Sequence, residues 1–575
     1  MGRLIPYILC CFALLFALAG CVQPGRVEPS VLNRYQKTMA RRGPQSRLSE
    51  QGIDSLRPAP GTTGPKWKIR KDPKTGKAIV EMTLDDAVMR ALANNLQIRV
   101  VSFAPEISRE EMVRAAAEFD YVLYGTISYT KEDRQTDSML GGGESRVRVF
   151  EVGLRQRTIT GAEWSLGWTL TRTWDNSTFR TFSSRYEPEI VLSVAQPLLR
   201  DAWPEFNLAQ LRIARLNRKI SVATFRQNVE EIVALVINSY WALVRSRREL
   251  KIQQGLLDTT IETLRRVRGR VDLDATAVEI KQAEAAVARR RSALYRQAKQ
   301  IQDVQTALAR LLADAEINVL GEVEIVPVTR PVVTKVKLDP TDQLLAALTH
   351  NAQLEQARLA ISVADINVRV AANQKLPRLD LSASTTMHGL RKEYADSMHS
   401  LDSTEYVSYS VGLTFEYPIG NRQRIAEFRQ AGLKRLEVIA SWQDLADEIA
   451  FRINERIREV RTAYQEMQTE HVAYEAAKVQ LQALEDTERI RGRLTPEFLQ
   501  VKLSAQEFLA EAERAEVRAI TSYNSAMADL ARDTGTMLQM YGIQLVIPQV
   551  LYGRDWSQAP RKTAGRLPRT TQPHK

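Results

Sequence analysis

Cysteine is confined to the first twenty-one residues of this 575-residue chain, at Cys10, Cys11 and Cys21. A disulfide framework or a thiolate metal centre is therefore excluded from everything that follows. Histidine is scarce, five in all, and no HExxH, GxSxG or P-loop pattern occurs. The motifs of zinc peptidases, serine hydrolases and nucleotide-phosphate enzymes are absent, so we expect no catalytic residue, no cofactor and no metal. After Ala19 no apolar run reaches the roughly 20 residues of a membrane helix. If this protein crosses a membrane, it must do so with strands. Charge of a single sign is also missing. The 80 Lys and Arg are set against 68 Asp and Glu, for a net charge of +12. Mixed along helical patterns, these read as solvated faces, and no nucleic-acid partner is expected. Two basic stretches, "RRGPQSR" and "APRKTAGRLPRTTQPHK", are rich in Pro, Gly and polar residues and read as disordered tail.

The opening "MGRLIPYILCCFALLFALAGCVQPG" has a short positive start at Arg3, then an apolar run from Leu4 to Ala19, then the small Ala19 and Gly20. This is the layout of a secretory signal over residues 1–20. Its "LAGC" ending resembles the lipobox of bacterial lipoproteins, in which cleavage leaves the cysteine, here Cys21, as the lipidated first residue. Several acyl chains on one residue would anchor it firmly, since one chain does not. The alternative is an uncleaved anchor helix.

The remainder reads as one plan used twice. A linker and small hairpin around Asp72, Pro73 and Gly76 occupy residues 21–80. The first copy, 81–320, starts at "LDDAVMRALANNLQIRV", and the second, 341–540, starts at "DQLLAALTHNAQLEQAR". Asp86, Ala91, Leu92, Asn95 and Gln97 match Asp342, Ala347, Leu348, Asn351 and Gln353. Further on, Pro197 matches Pro418 and Gly269 matches Gly492. The interval Asn95–Pro197 is 102 residues and Asn351–Pro418 is 67, so the first copy carries 35 extra residues there. Residues 321–340 read as a linker between the copies, and 541–575 as the basic tail.

The intervening regions, about 121–196 and 378–417, alternate as strands do. "EWSLGWTLTRTW" sets Trp164, Leu166, Trp168 and Leu170 opposite Ser165, Gly167, Thr169 and Thr171. "YVSYSVGLTFEY" sets Val411, Leu413 and Phe415 opposite Gly412, Thr414 and Glu416. "YVLYGTISYT", "VRVFEVGLRQ", "EIVLSVAQ" and "PRLDLSAST" are further candidates. Each has about the length of a transmembrane β-strand, with one apolar and one polar face. Periodicity equally allows a soluble sandwich; the aromatic-rich faces opposite small polar ones favour a water-filled barrel whose apolar residues face lipid.

Between Glu205 and Arg268 there is no Pro and one Gly, which predicts a helix roughly 95 Å long. Val222, Val229, Val236, Leu243, Leu250, Leu257, Leu264 and Val271 recur every seven residues, as do Ile439, Ala446, Ile453, Val460, Met467, Tyr474 and Leu481. Sustained heptads imply coiled-coil packing. Each copy is thus a helical hairpin, over 205–312 and 422–532, with a tight tip. In "RIRGRLTPEFLQ", Gly492 suits a left-handed helix end, Thr495 an N-cap and Pro496 the first helical position, with Leu494 placed to staple onto Leu499. In "RVRGRVDLDATA", Gly269 and Asp272 fill the corresponding places.

"ALANNLQIR", "ALTHNAQLEQA", "AANQKLPRLDLSAS", "VGLTFEYPIGNRQRIAEFRQA", "QPLLRD" and the tip glycines together resemble the TolC-type outer-membrane efflux family over about residues 80 to 540. The resemblance implies a mainly α fold with a transmembrane β-barrel portion: long antiparallel coiled-coil hairpins in two internal repeats, assembled as a trimeric α/β barrel duct. It implies a homotrimer in which each copy gives four strands to a twelve-stranded barrel in outer-membrane lipid and the helices form a periplasmic tunnel. Partners would be a periplasmic adaptor and an inner-membrane transporter of RND, ABC or MFS type, and the function a passive exit duct for efflux or type I secretion. The adaptor would meet the tips at Gly269, Val271, Asp272, Gly492, Arg493, Leu494 and Thr495. Asp272 and Asp274 could form an acidic periplasmic gate, or serve only as helix-start residues. The chain departs from the family in three ways. Arg268 and Arg491 precede the tip glycines, Phe498 and Val501 stand where a member has gate aspartates, and the first copy has its surplus 35 residues. A lipid-anchored periplasmic coiled-coil spacer or adaptor would also explain the heptads, but not the alternating aromatic strands.

Overall fold

The structure, a computed structural model, describes residues 69–71, 78–135, 142–177, 180–270, 277–314, 317, 323–402, 405–491 and 495–543. The signal segment with Cys21, the tip residues Val271, Asp272, Asp274, Gly492, Arg493 and Leu494, and residues 544–575 of the basic tail lie outside them.

The first described strands, β1 (Ile69–Lys71) and β2 (Ala78–Met82), pair antiparallel. Two helices follow. α1 (Leu84–Asn94) begins with a reciprocal capping box between Thr83 and Asp86. α2 (Leu96–Ala116) begins where the Asn95 side chain accepts from the backbone of Gln97 and Ile98. In the second half, α6 (Pro340–His350) and α7 (Ala352–Gln374) meet in the same way, with Asn351 capping α7 through Gln353 and Leu354. The matched asparagines are therefore two N-caps, each satisfying orphan donors at a helix start.

Six strands form one antiparallel sheet: β3 (Val122–Asp133), β4 (Glu144–Arg157), β5 (Glu163–Asp175), β6 (Ser184–Pro197), β8 (Arg378–His388) and β9 (Val407–Glu416). They lie side by side in that order. The surplus of the first half is therefore a hairpin within the sheet. β3 and β6 hold the places that β8 and β9 hold in the second half, directly after and before the neighbouring helices, and β4–β5 is inserted between them. The turn of that hairpin closes onto the sheet–helix corner. Gly161 there has φ 91°, and a Cβ on it would stand 2.6 Å from the Asp201 carbonyl oxygen. Only glycine fits both conditions.

Residues 321–340 are more than a linker. β7 (Glu324–Pro327) pairs in parallel with β2, and Val80, Met82 and Ile325 are fully buried there. The connection between β8 and β9 also holds a helix, α8 (Tyr394–Asp402).

The long helices come after the sheet strands. The expected start at Glu205 is broken: a single turn, α3 (Pro204–Asn207), precedes α4 (Ala209–Arg268). Asn207 is buried and donates to the carbonyls of Asp201 and Trp203, closing the corner. At 60 residues α4 is about 90 Å long. It returns as α5 (Ala277–Leu312); α9 (Arg422–Arg491) returns as α10 (Pro496–Asp533), followed by the short α11 (Met537–Met540). Of the first heptad, Val229, Val236, Leu243 and Leu257 are buried; of the second, Ile453, Val460 and Met467. α10 packs against both α9 and α4. Its buried alanines, Ala505, Ala510, Ala512, Ala519, Ala526, Ala528 and Ala531, leave room for two neighbours.

One buried acid marks the middle of α4. Glu230 is 3% exposed and pairs with Arg226 at 3.1 Å. Burial outweighs that partner and pushes its carboxyl up to about 7. An acid with a raised folded value stabilises the fold below its unfolded value of 4.5, and that stability is lost as pH rises through 7. The loss is about 3 kcal/mol. Glu230→Gln is expected to flatten the difference in thermal midpoint between pH 5 and pH 8. An unchanged difference would show that Glu230 does not carry it.

Candidate functional site

The sheet sorts its residues onto two chemically opposed faces. In register across four strands run Leu123, Leu154, Leu166 and Leu192. The neighbouring row is Gly125, Val152, Trp168, Ile190, Met387 and Val407. Trp164, Val194, Ala383 and Val411 form another row on this face, and Leu413 and Phe415 continue it along β9. So Trp164, Leu166, Trp168, Leu170, Val411, Leu413 and Phe415 share one side. Leu166 is 45% exposed, and Val411, Leu413 and Phe415 more so. An exposed apolar face this wide is not left to water.

The opposite face is polar and small. Arg155, Ser165, Ser193, Ser384 and Ser410 share one row, and Ser165 and Ser193 are hydrogen-bonded at 2.7 Å, as are Ser384 and Ser410 at 2.9 Å. Glu151, Thr169, Glu189 and His388 share another. Tyr124 lies on this side over Gly153 and Gly167, where added Cβ atoms would fall 2.6 and 2.9 Å from its hydroxyl end.

Aromatic rings bracket the apolar band. Tyr121 meets Trp164 edge-on near the helix end. Trp174, Tyr129 and Tyr186 stand at the far end, beneath the guanidinium groups of Arg146, Arg148 and Arg172 respectively. Trp164 and Trp174 are ten residues apart on β5. That is roughly 33 Å along the strand, or roughly 23 Å along the normal at a 45° tilt, close to the ~25 Å apolar band of a membrane barrel.

The hairpin tips are the second feature. Thr495 is the N-cap of α10, accepting from the Phe498 backbone at 3.3 Å, with Pro496 in the first turn. Leu499 is fully buried, clustered with Val267 of the other hairpin and backed by Ile280, Phe498 and Leu503. The partner expected for it, Leu494, lies outside the described residues. Gly269 departs from expectation. Its φ is −68° and its N–H donates to the Arg265 carbonyl, so it continues the right-handed turn. The Arg270 N–H then reaches the Val267 carbonyl, tightening the end without a left-handed residue. A Cβ at Gly269 would meet nothing closer than 3.5 Å.

Above the tips, a polar network that sequence reasoning missed ties the hairpins together. Arg290 of α5 is 6% exposed. It donates to Thr260, to the Gln506 side chain at 3.1 Å and to the Leu503 carbonyl at 2.8 Å, and pairs with Glu507 at 3.3 Å. Gln506 in turn donates to Thr263. Burial lowers the Arg290 pKa and Glu507 acts against it. Lys502, also buried, pairs with Glu488, which lies 3.9 Å from Arg266. The available sequence signal was a charged residue at a helical repeat of small buried ones, Ala283, Ala286 and Val287.

Residues 344–494 match the family profile described as outer membrane efflux protein. That segment, about a quarter of the chain, is similar to the outer membrane efflux protein family. Solved structures extend the likeness beyond that segment. The Vibrio cholerae outer membrane protein VceC is 16% identical, with a TM-score of 0.58, covering 79% of this chain and 96% of its own. The Campylobacter jejuni outer membrane channel CmeC is 14% identical, with a TM-score of 0.58, covering 79% and 86%. A Pseudomonas aeruginosa membrane protein is 17% identical, with a TM-score of 0.60, covering 83% and 98%. At these identities the likeness is one of fold. No curated protein matches.

Proposed function

We propose that this chain is the exit duct of an efflux or secretion system, passing substrates across the outer membrane without chemistry of its own. The observation that carries the reading is the two-faced sheet: a bracketed apolar face of membrane height backed by a continuous polar face. An open six-stranded sheet cannot sit in lipid with unpaired edges. Copies would therefore pair β9 of one with β3 of the next. Three copies, as the family resemblance implies, would close a wall of eighteen strands rather than twelve. The long helices would form the tunnel on the inner side. The tips, at Gly269, Thr495 and the segments 271–272 and 492–494, would meet a periplasmic adaptor, which joins an inner-membrane pump. Asp272 and Asp274 remain the proposed acidic gate, and Cys21 the proposed lipid anchor.

The test is reconstitution of the full chain, purified from outer membranes, into a planar bilayer. Discrete ion-conducting steps from an oligomer are expected, and a protein that stays monomeric and inserts nowhere would overturn the duct. On the same sample, the intact N-terminal peptide is expected to carry acyl chains on Cys21. An unmodified peptide would remove the anchor but leave the duct.

A further inference from the structure

The inserted hairpin brings a feature that a duct does not need. At the end of the sheet away from the long helices, Tyr129, Arg148, Arg172 and Tyr186 form one row across β3 to β6. Arg148 and Arg172 are directly opposite each other on β4 and β5, the two inserted strands. Both are exposed, on the same side as the apolar band. Like charges facing each other across strands destabilise a sheet. Among the described residues neither guanidinium has a carboxylate within ion-pair distance. The next row outward behaves differently: Lys131 and Arg146 are also opposite each other, but Glu144 bridges them at 3.4 and 2.7 Å. Each unbridged arginine instead lies over a tyrosine, Arg148 over Tyr129 at 5.6 Å and Arg172 over Tyr186 at 5.2 Å, and its donors have no carboxylate partner among the described residues.

We infer that the β4–β5 hairpin holds a phosphorylated lipid headgroup of the outer leaflet between Arg148 and Arg172. The inference rests on the reading of the sheet as membrane-spanning. Two guanidinium forks side by side match the oxygens of a phosphate, which a lone ammonium does not. Their depth fits a lipid. Arg172, opposite Arg148, lies two residues inside Trp174, the outer aromatic bracket, roughly 5 Å along the normal at a 45° tilt. The pair thus stands at the outer aromatic girdle, within a long side chain's reach of the headgroup phosphates beyond it. A lipid would cover the apolar rows below with its chains while its phosphate neutralises the pair above.

The test uses the full-length, detergent-purified oligomer and native mass spectrometry. Three probes are compared: lipid A as a diphosphorylated glycolipid, the same glycolipid dephosphorylated, and inorganic phosphate. Occupancy by the phosphorylated lipid should exceed that by the dephosphorylated form about tenfold, the worth of one charge-assisted contact. The double variant Arg148→Gln/Arg172→Gln should bring the two to equality, and Arg155→Gln, on the polar face, should leave the preference intact. Equal binding of both lipids to the unaltered protein would overturn the inference, as would a preference surviving in the double variant. Inorganic phosphate competing as well as the lipid would overturn it too, by making the site one for free anion. A spin label at Leu166→Cys separates the two readings. If it reports water, the membrane-spanning sheet itself falls; if it reports lipid while no phosphate preference exists, only the headgroup site falls.

Discussion

Leu166→Arg is expected to reduce the oligomer recovered from outer membranes by more than about tenfold, because a lipid-facing arginine inside the apolar band costs up to about 2–4 kcal/mol per copy. Leu166 lies within the row Leu123, Leu154, Leu166 and Leu192, so an arginine there finds no acid in its row to pair with. The matched control is Thr169→Ser on the polar face. Gly167 would be a poor control, since any side chain there meets the Tyr124 hydroxyl. Leu413→Arg on β9 should behave like Leu166→Arg. Recovery equal to that of Thr169→Ser would place the apolar face away from lipid and return the sheet to a soluble packing.

Arg290→Ala is expected to part the two hairpins near their tips. It leaves the Gln506 carbonyl oxygen buried without its donor and removes the contacts to Thr260, the Leu503 carbonyl and Glu507. Orphaned buried groups cost about 1–3 kcal/mol each. With the lost packing, local opening should become about 100-fold easier, equivalent to ~3 kcal/mol. Backbone hydrogen exchange over residues 260–268, 283–290 and 499–507 should rise accordingly, while the sheet is unaffected. Arg290→Lys should fall between, because an ammonium keeps the charge but cannot reach all partners at once. Unchanged exchange in Arg290→Ala would reduce the network to surface chemistry.

How far the sequence speaks depends on the range of the physics involved. Strand faces and heptads are written in local periodicity, and the six strands and the two descending helices run through the stretches that show it. Thr495 was legible because a cap acts within three residues. β7 was not: four residues, "EIVP", are a strand only because β2 lies beside them across more than two hundred residues. Gly269 misled because a glycine at a helix end permits the left-handed turn without requiring it. Arg290 was hidden because its meaning lies in α10. The surplus residues were visible as a count, but their place inside the sheet depended on a register with β3 and β6 that no local pattern encodes.

The position of that insertion has a consequence for how such walls change girth. The hairpin enters between β3 and β6 and leaves β3 and β9 as the outermost strands. Because it adds one strand up and one down, the flanking strands keep their antiparallel sense. Along one row, Val122, Arg155, Ser165 and Ser193 are in register, so excising β4 and β5 would bring Val122 opposite Ser193 with both faces still matched. Circumference can thus grow or shrink in steps of two strands per copy, each roughly 5 Å wide, without rewriting the seams through which copies join. In the proposed duct, a lineage could retune the bore by a single insertion while leaving the seams between copies as inherited.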